Sequence, residues 1–179
     1  MKQYTREESF LAHFLLSDTK SSLFWLVVRV YVGWIWLNAG WEKVINPVWF
    51  GTDAGAALKG FIMGALSKTG GPHPDVQGWY AYFLQTFVLN NTTIWSNLVA
   101  VGELLIGVAL IFGFLTGVSA FFGVFMNLNF MLAGTVSINP TLFVLGLGLV
   151  LAWRVSGYLG ADAFALPRLH SYLRSKNRN

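Results

Sequence analysis

Two ionisable residues stand where the surrounding sequence offers no water. Arg29 is the one charge between Lys20 and Glu42, and Glu103 precedes a stretch with no charged residue before Arg154. Charges inside apolar segments are costly; they pair with one another or line paths for protons and substrates. An arginine donates hydrogen bonds to carbonyl or carboxylate oxygens, and a carboxyl group held near a reacting oxygen can deliver a proton. At 1.5 Å per residue, Arg29 lies roughly 10 Å inside its segment and Glu103 roughly 14 Å inside the next, from the opposite side. In a hydrocarbon core about 30 Å thick their backbones would differ by about 6 Å in depth, a gap an arginine can bridge. The pair would be a functional site or a buried ion pair that sets helix register. Arg29 alone could also reach back to the near surface.

Other polar residues gather toward the far end of the first segment. Asn38 and Glu42 are four apart and share a helix face, with Lys43 beside them; they read as site residues or as interfacial anchors. In GVFMNLNFMLAG, Asn127 and Asn129 fall near mid-bilayer, and at a spacing of two they cannot share a face. One would bond a neighbouring helix while the other lines a cavity. Trp36, Trp41 and Trp79 would sit near the same end and could make a flat slot for a planar ring. Belt and packing duty is the ordinary use of a 16% aromatic content. The candidate catalytic pair is thus Glu103 and Arg29, with Asn38, Glu42, Lys43, Trp36, Trp41, Asn127 and Asn129 as candidate binding residues. Cysteine is absent, and His13, His73 and His170 all fall outside the apolar segments. No thiolate cluster or bis-histidine haem inside the bundle is therefore expected, and no tightly bound metal.

The elements that must position these residues follow from composition. The 179 residues are 55% hydrophobic and 11% charged, with a mean hydropathy of +0.55. A soluble domain carries about a quarter charged residues, so lipid must cover part of this one. A span takes roughly 20 apolar residues. Turn-forming GFLTG and TVSINP divide the long uncharged stretch, which places spans at 22–41, 94–114, 118–134 and 141–159. The 12 Lys and Arg exceed the 8 Asp and Glu by too little to suggest nucleic acid. Their positions matter more: Lys2, Arg6 and Lys20 precede the first span, while Arg168, Arg174, Lys176 and Arg178 form a basic tail within 160–179. The positive-inside rule then puts both termini in the cytoplasm of a plasma-membrane protein. The apolar Phe10–Leu16 stretch, with charges on both sides, is not read as a signal peptide. Between the first two spans, Ala54, Ala57, Leu58, Phe61, Ile62 and Ala65 recur at helical spacing, and DVQGWYAYFLQTFVL suits a membrane interface. The expectation is one domain over 1–179: an all-α membrane protein, a four-transmembrane-helix bundle. An amphipathic two-helix extracytoplasmic segment at 46–93 would lie over it as a surface lid, with a re-entrant hairpin as the alternative.

The segments LVVRVYVGWIWLNAGWEKV, GELLIGVALIFGFLTGVSAFFGVFMNLNFMLAG, NPTLF and AWRVSGYLGAD together resemble the DoxX/DoxD family of membrane proteins. The likeness runs from about Leu26 to Pro167 and is most specific at Arg29, Gly33, Gly40 and Lys43, and at Gly102-Glu103 followed by Gly107 and Gly113. The resemblance implies a subunit like the membrane part of a thiosulfate:quinone oxidoreductase, passing electrons to membrane quinone beside a second redox subunit. The leading expectation is therefore a quinone-interacting oxidoreductase subunit, with quinone as electron acceptor near Glu103, Arg29, Asn38 and the tryptophans. The alternatives are a non-catalytic anchor or scaffold for a soluble redox enzyme, and a small transporter or lipid-handling protein. Membrane lipid is the expected surroundings, and the glycine faces leave room for a homodimer.

Overall fold

The computed structural model describes residues 9–165 and Pro167, and among them every regular element is helical. A short helix, α1 (Phe10–Leu16), precedes a single 3-10 turn whose Asp18 carboxylate accepts the Lys20 N–H at 2.9 Å. That cap starts α2 (Ser22–Val44), which runs until Asn46-Pro47, where the residue before proline is pushed out of helical geometry. Gly55, at φ 100°, turns the chain into α3 (Ala56–Leu66). Next comes α4 (Gly78–Phe83), followed by a π-helical turn, Leu84–Val88, and a 3-10 turn, Leu89–Asn91, after which the chain bends at Asn91 into α5 (Thr92–Phe112). Gly113, at φ 68°, ends α5. The bundle closes with α6 (Thr116–Leu132), α7 (Asn139–Leu151), which has Pro140 in its first turn, and the short α8 (Trp153–Ser156).

Glycine positions set the register of the antiparallel bundle. A Cβ at Gly40 would press on the Leu104 backbone, one at Gly107 on Leu37, and one at Gly33 on Leu110 and Ile111. So α2 and α5 cross in backbone contact, as small residues allow in lipid. Residues 102 and 106 of α5 face 126 and 123 of α6, and Gly146 of α7 packs on Val124. The first and last described segments therefore meet at one end of the bundle, where Trp25 Nε1 donates to the Leu15 carbonyl at 2.7 Å. A core of Trp25, Val32, Trp36, Leu110, Ala120 and Leu149 fills the centre. Outward faces carry Phe112, Phe121, Phe122, Val144 and Leu151, all exposed. Two stretches, Thr19–Val44 and Gly78–Phe112, are long and apolar enough to cross a membrane, while α6 and α7 are apolar but shorter.

The lid holds two short helices, α3 and α4, as expected. At Asn91 the backbone leaves helical geometry (φ −137°, ψ 45°) and α4 folds back beside α5 and α6: the Phe83 and Trp95 rings lie 6.3 Å apart, and Tyr80 Oη donates to the Asn129 carbonyl at 2.9 Å. Leu58, Ile62, Val76, Tyr80, Leu84 and Ala133 give this end a hydrophobic core of its own. Polar ties fix it to the bundle: Lys68 Nζ donates to the Gly134 carbonyl at 2.7 Å, and Ser96 Oγ to that of Trp49 at 2.6 Å. The helix expected over 141–159 ends at Leu151. The chain bends at buried Ala152, which sets Trp153 over Gly117. Most of the basic tail at 160–179 lies outside the described residues, as do Lys2 and Arg6.

Candidate functional site

Glu103 is 1% exposed, and its partner is Lys43, whose Nζ lies 2.6 Å from Oε2. Lys43 occupies the last turn of α2, and the close approach at Gly40 brings that turn beside Glu103 on α5. The ammonium also stands 5.2 Å from the centre of the Trp49 ring, a cation–π distance. The pair borders a cavity of about 310 Å3 whose apolar walls include Trp36, Trp49, Phe61 and Phe130. Thr135 and Ser137 from the α6–α7 connection, with Asn139 at the start of α7, supply a polar rim. An ion pair, a fork of aromatic rings and a polar edge form a chamber suited to a flat molecule with hydrogen-bonding oxygens.

Arg29 does not meet Glu103, contrary to the depth count. Gly40 lies level with Leu104, so Glu103 sits about 16 Å along the axis from Arg29, eleven residues at 1.5 Å each. Cα–Cβ bonds also lean toward a helix's own N-terminus, and in an antiparallel pair that sends the two side chains to opposite ends. Arg29, 1% exposed, instead donates from NH2 to the Leu159 carbonyl at 2.9 Å. Its NH1 packs where a side chain on Gly113 or Gly160 would stand. Asp162, also buried, accepts the N–H groups of Leu115 at 2.6 Å and Thr116 at 2.8 Å. A cation thus sits at the C-terminus of α5 and an anion at the N-terminus of α6, each complementing its helix dipole.

The remaining candidates divide. Trp36 is buried and lines the chamber, whereas Trp41 and Trp79 are 56% and 64% exposed. Five residues at 100° each turn Trp41 well away from Trp36, so the expected three-tryptophan slot does not form; Trp49 takes its place. Asn38 and Glu42 share a face as expected, but both are exposed and neither lines the chamber. Asn127 and Asn129 occupy the last turns of α6 at the lid end, nearer the Glu103 chamber than mid-helix. Asn127 Nδ2 donates to the Asn139 carbonyl at 2.7 Å, and Asn129 Oδ1 accepts from Tyr80 Oη at 3.1 Å. Asn127 thus ties α6 to the start of α7, while Asn129 ties α6 to α4 and borders an apolar cavity. Sequence reasoning missed Trp49, Phe61, Phe130, Asn139 and Asp162. For Asp162 the signal was available, a lone carboxylate in GYLGAD with no cation beside it.

Among the described residues no group of three or more His, Cys, Asp or Glu side chains could hold a metal ion. The fold and the buried ion pair define a helical, membrane-associated protein with a chamber inside one end of its bundle. The DoxX family model matches residues 24–136, and the chain belongs to the DoxX family. That match ends just beyond α6 and contains Arg29, Gly40, Lys43 and Glu103. No curated protein and no solved structure matches the chain.

Proposed function

We infer that α2, α5, α6 and α7 all cross the plasma membrane, with both termini cytoplasmic, and that the chamber binds a quinone ring. The observation that carries this reading is the Lys43–Glu103 pair, held against aromatic walls in a cavity of about 310 Å3. That volume lies at the small end of the roughly 300–1,000 Å3 typical of ligand sites. A ring carbonyl would accept from the Lys43 ammonium, which stabilises the negative charge that develops on reduction. Glu103 would deliver a proton, and the rim of Thr135, Ser137 and Asn139 would resupply it from the aqueous side. Two electrons and two protons convert quinone to quinol, and the electrons would come from a second redox subunit. Arg29, at the other end of the bundle, has no part in this chemistry.

Replacing Glu103 by Gln keeps the shape and removes the transferable proton. Quinone reduction, assayed with a redox partner that co-purifies in mild detergent, should fall by about 100-fold or more, while the protein stays folded. Full turnover in that variant would refute the assignment. A stable partner complex whose activity ignores Glu103 would indicate the anchor reading instead.

A further inference from the structure

A second cavity, of about 160 Å3, lies beside the ion-pair chamber and is lined almost entirely by apolar groups. The two share Leu58, Phe61, Val99 and Phe130 as common walls, so one layer of side chains divides them. Phe61 and Phe130 meet edge to face in that layer, with centroids 6.3 Å apart. The apolar cavity also counts Leu98 and Phe125 among its walls, and both are more than half exposed on the outer faces of α5 and α6. It therefore opens sideways from the bundle, away from the polar rim. Its far wall includes Leu84 and Val88, the two ends of the π-helical turn. Such turns interrupt regular helix at a cost and recur beside functional sites. The polar side chains present, Tyr80 and Asn129, are bonded to each other and ask nothing of a ligand.

We propose that the apolar cavity holds the hydrocarbon chain of an amphipathic ligand whose head lies against Lys43 and Glu103, and that this ligand enters sideways between α5 and α6. This rests on the quinone reading for the identity of the head but not for the chain. An apolar cavity of roughly 150 Å3 stays dry and accepts a benzene-sized hydrocarbon, so this one holds the chain segment next to the head, with the remainder passing out between Leu98 and Phe125. The Phe61–Phe130 contact is the partition that separates the two halves and must yield as the head passes.

The test uses the full chain in nanodiscs with two photoreactive probes. One is a quinone bearing a ten-carbon chain with a diazirine near the ring, and the other is the same chain on a carboxylic acid. The quinone probe should label residues around Val88, Leu98 and Met126 saturably, and unlabelled quinone should compete. Leu98→Trp, on an exposed face where folding tolerates it, should cut that labelling roughly tenfold because the indole takes the chain's space. Val118→Trp, exposed on α6 outside the cavity, should leave it unchanged. Saturable labelling confined to other sites, or a Leu98→Trp variant that labels normally, overturns the chain cavity and leaves the quinone reading standing. Saturable labelling by the acid probe that quinone fails to displace supports the chain cavity and removes quinone as the head. No saturable labelling by either probe overturns the proposal.

Discussion

Asp162 shows how much one side chain can hold at the closed end of the bundle. Leu115 adopts φ 47°, a left-handed conformation that a branched residue enters at a cost. Both oxygens of Asp162 accept backbone N–H groups in that same turn, Leu115 and Thr116, which fixes the conformation and caps α6. Asp162→Ala removes two buried bonds to a charged acceptor and leaves two donors without partners, at about 3 kcal/mol or more. Thermal unfolding in detergent should show the loss, while ligand binding at Lys43 and Glu103 in the surviving folded fraction stays unchanged. The ionisable residues inside apolar segments were legible as important from their types alone. Their partners were not, because pairing depends on which levels of two helices coincide, and apolar composition leaves a helix free to slide. The Lys43–Glu103 pair needed the contact at Gly40, and Trp41 was miscast because nearness in sequence stood in for direction around a helix.

At the scale of elements, the α2–α5 crossing is the joint that builds the chamber. A methyl group at Gly107 would meet the Leu37 backbone, which cannot rotate aside as a side chain can. Gly107→Ala should therefore part the two helices near Lys43 and lower stability by about 1–3 kcal/mol. It should also weaken binding of any chamber ligand, read by a titration that compares Gly107→Ala with Gly102→Ala, whose Cβ would meet only the flexible end of Met126. An equal effect of both substitutions would argue against the crossing as the determinant. The four apolar helices α2, α5, α6 and α7 were readable from charge gaps and turn residues, since both report directly on where water can reach backbone. So was the end of the lid: the polar run Asn90-Asn91-Thr92-Thr93 has the composition of a turn, and the chain leaves helical geometry at Asn91. The packing of α4 back onto α5 and α6 was not, because it rests on contacts far apart in sequence, Phe83 with Trp95 and Tyr80 with Asn129.

For the whole molecule, the absence of cysteine makes topology directly measurable. Ser9 and Ser137 are exposed at opposite ends of the bundle. Single-cysteine variants Ser9→Cys and Ser137→Cys, probed in intact cells with an impermeant maleimide, should label at 137 and stay protected at 9. Labelling of both, or of position 9 alone, would contradict four crossings with cytoplasmic termini. The family match and the long apolar helices agree on a membrane setting; the proposed orientation rests on the basic residues near the start, and this labelling tests it.

The helices differ greatly in length. α5 has 21 residues, about 32 Å, whereas α7 has 13 residues and rises about 20 Å. A hydrocarbon core near 30 Å cannot match both. On the four-crossing topology proposed above, the bilayer on the α7 side must thin or the helix must borrow the turn of α8, whereas α5 matches the core by its own length. A hydrophobic mismatch of this kind makes acyl-chain length a control on the protein: thicker membranes press most on α7, which carries Asn139 and Leu142 at the chamber wall. With α7 as a crossing helix, the chamber's shape is coupled to the thickness of the lipid around it.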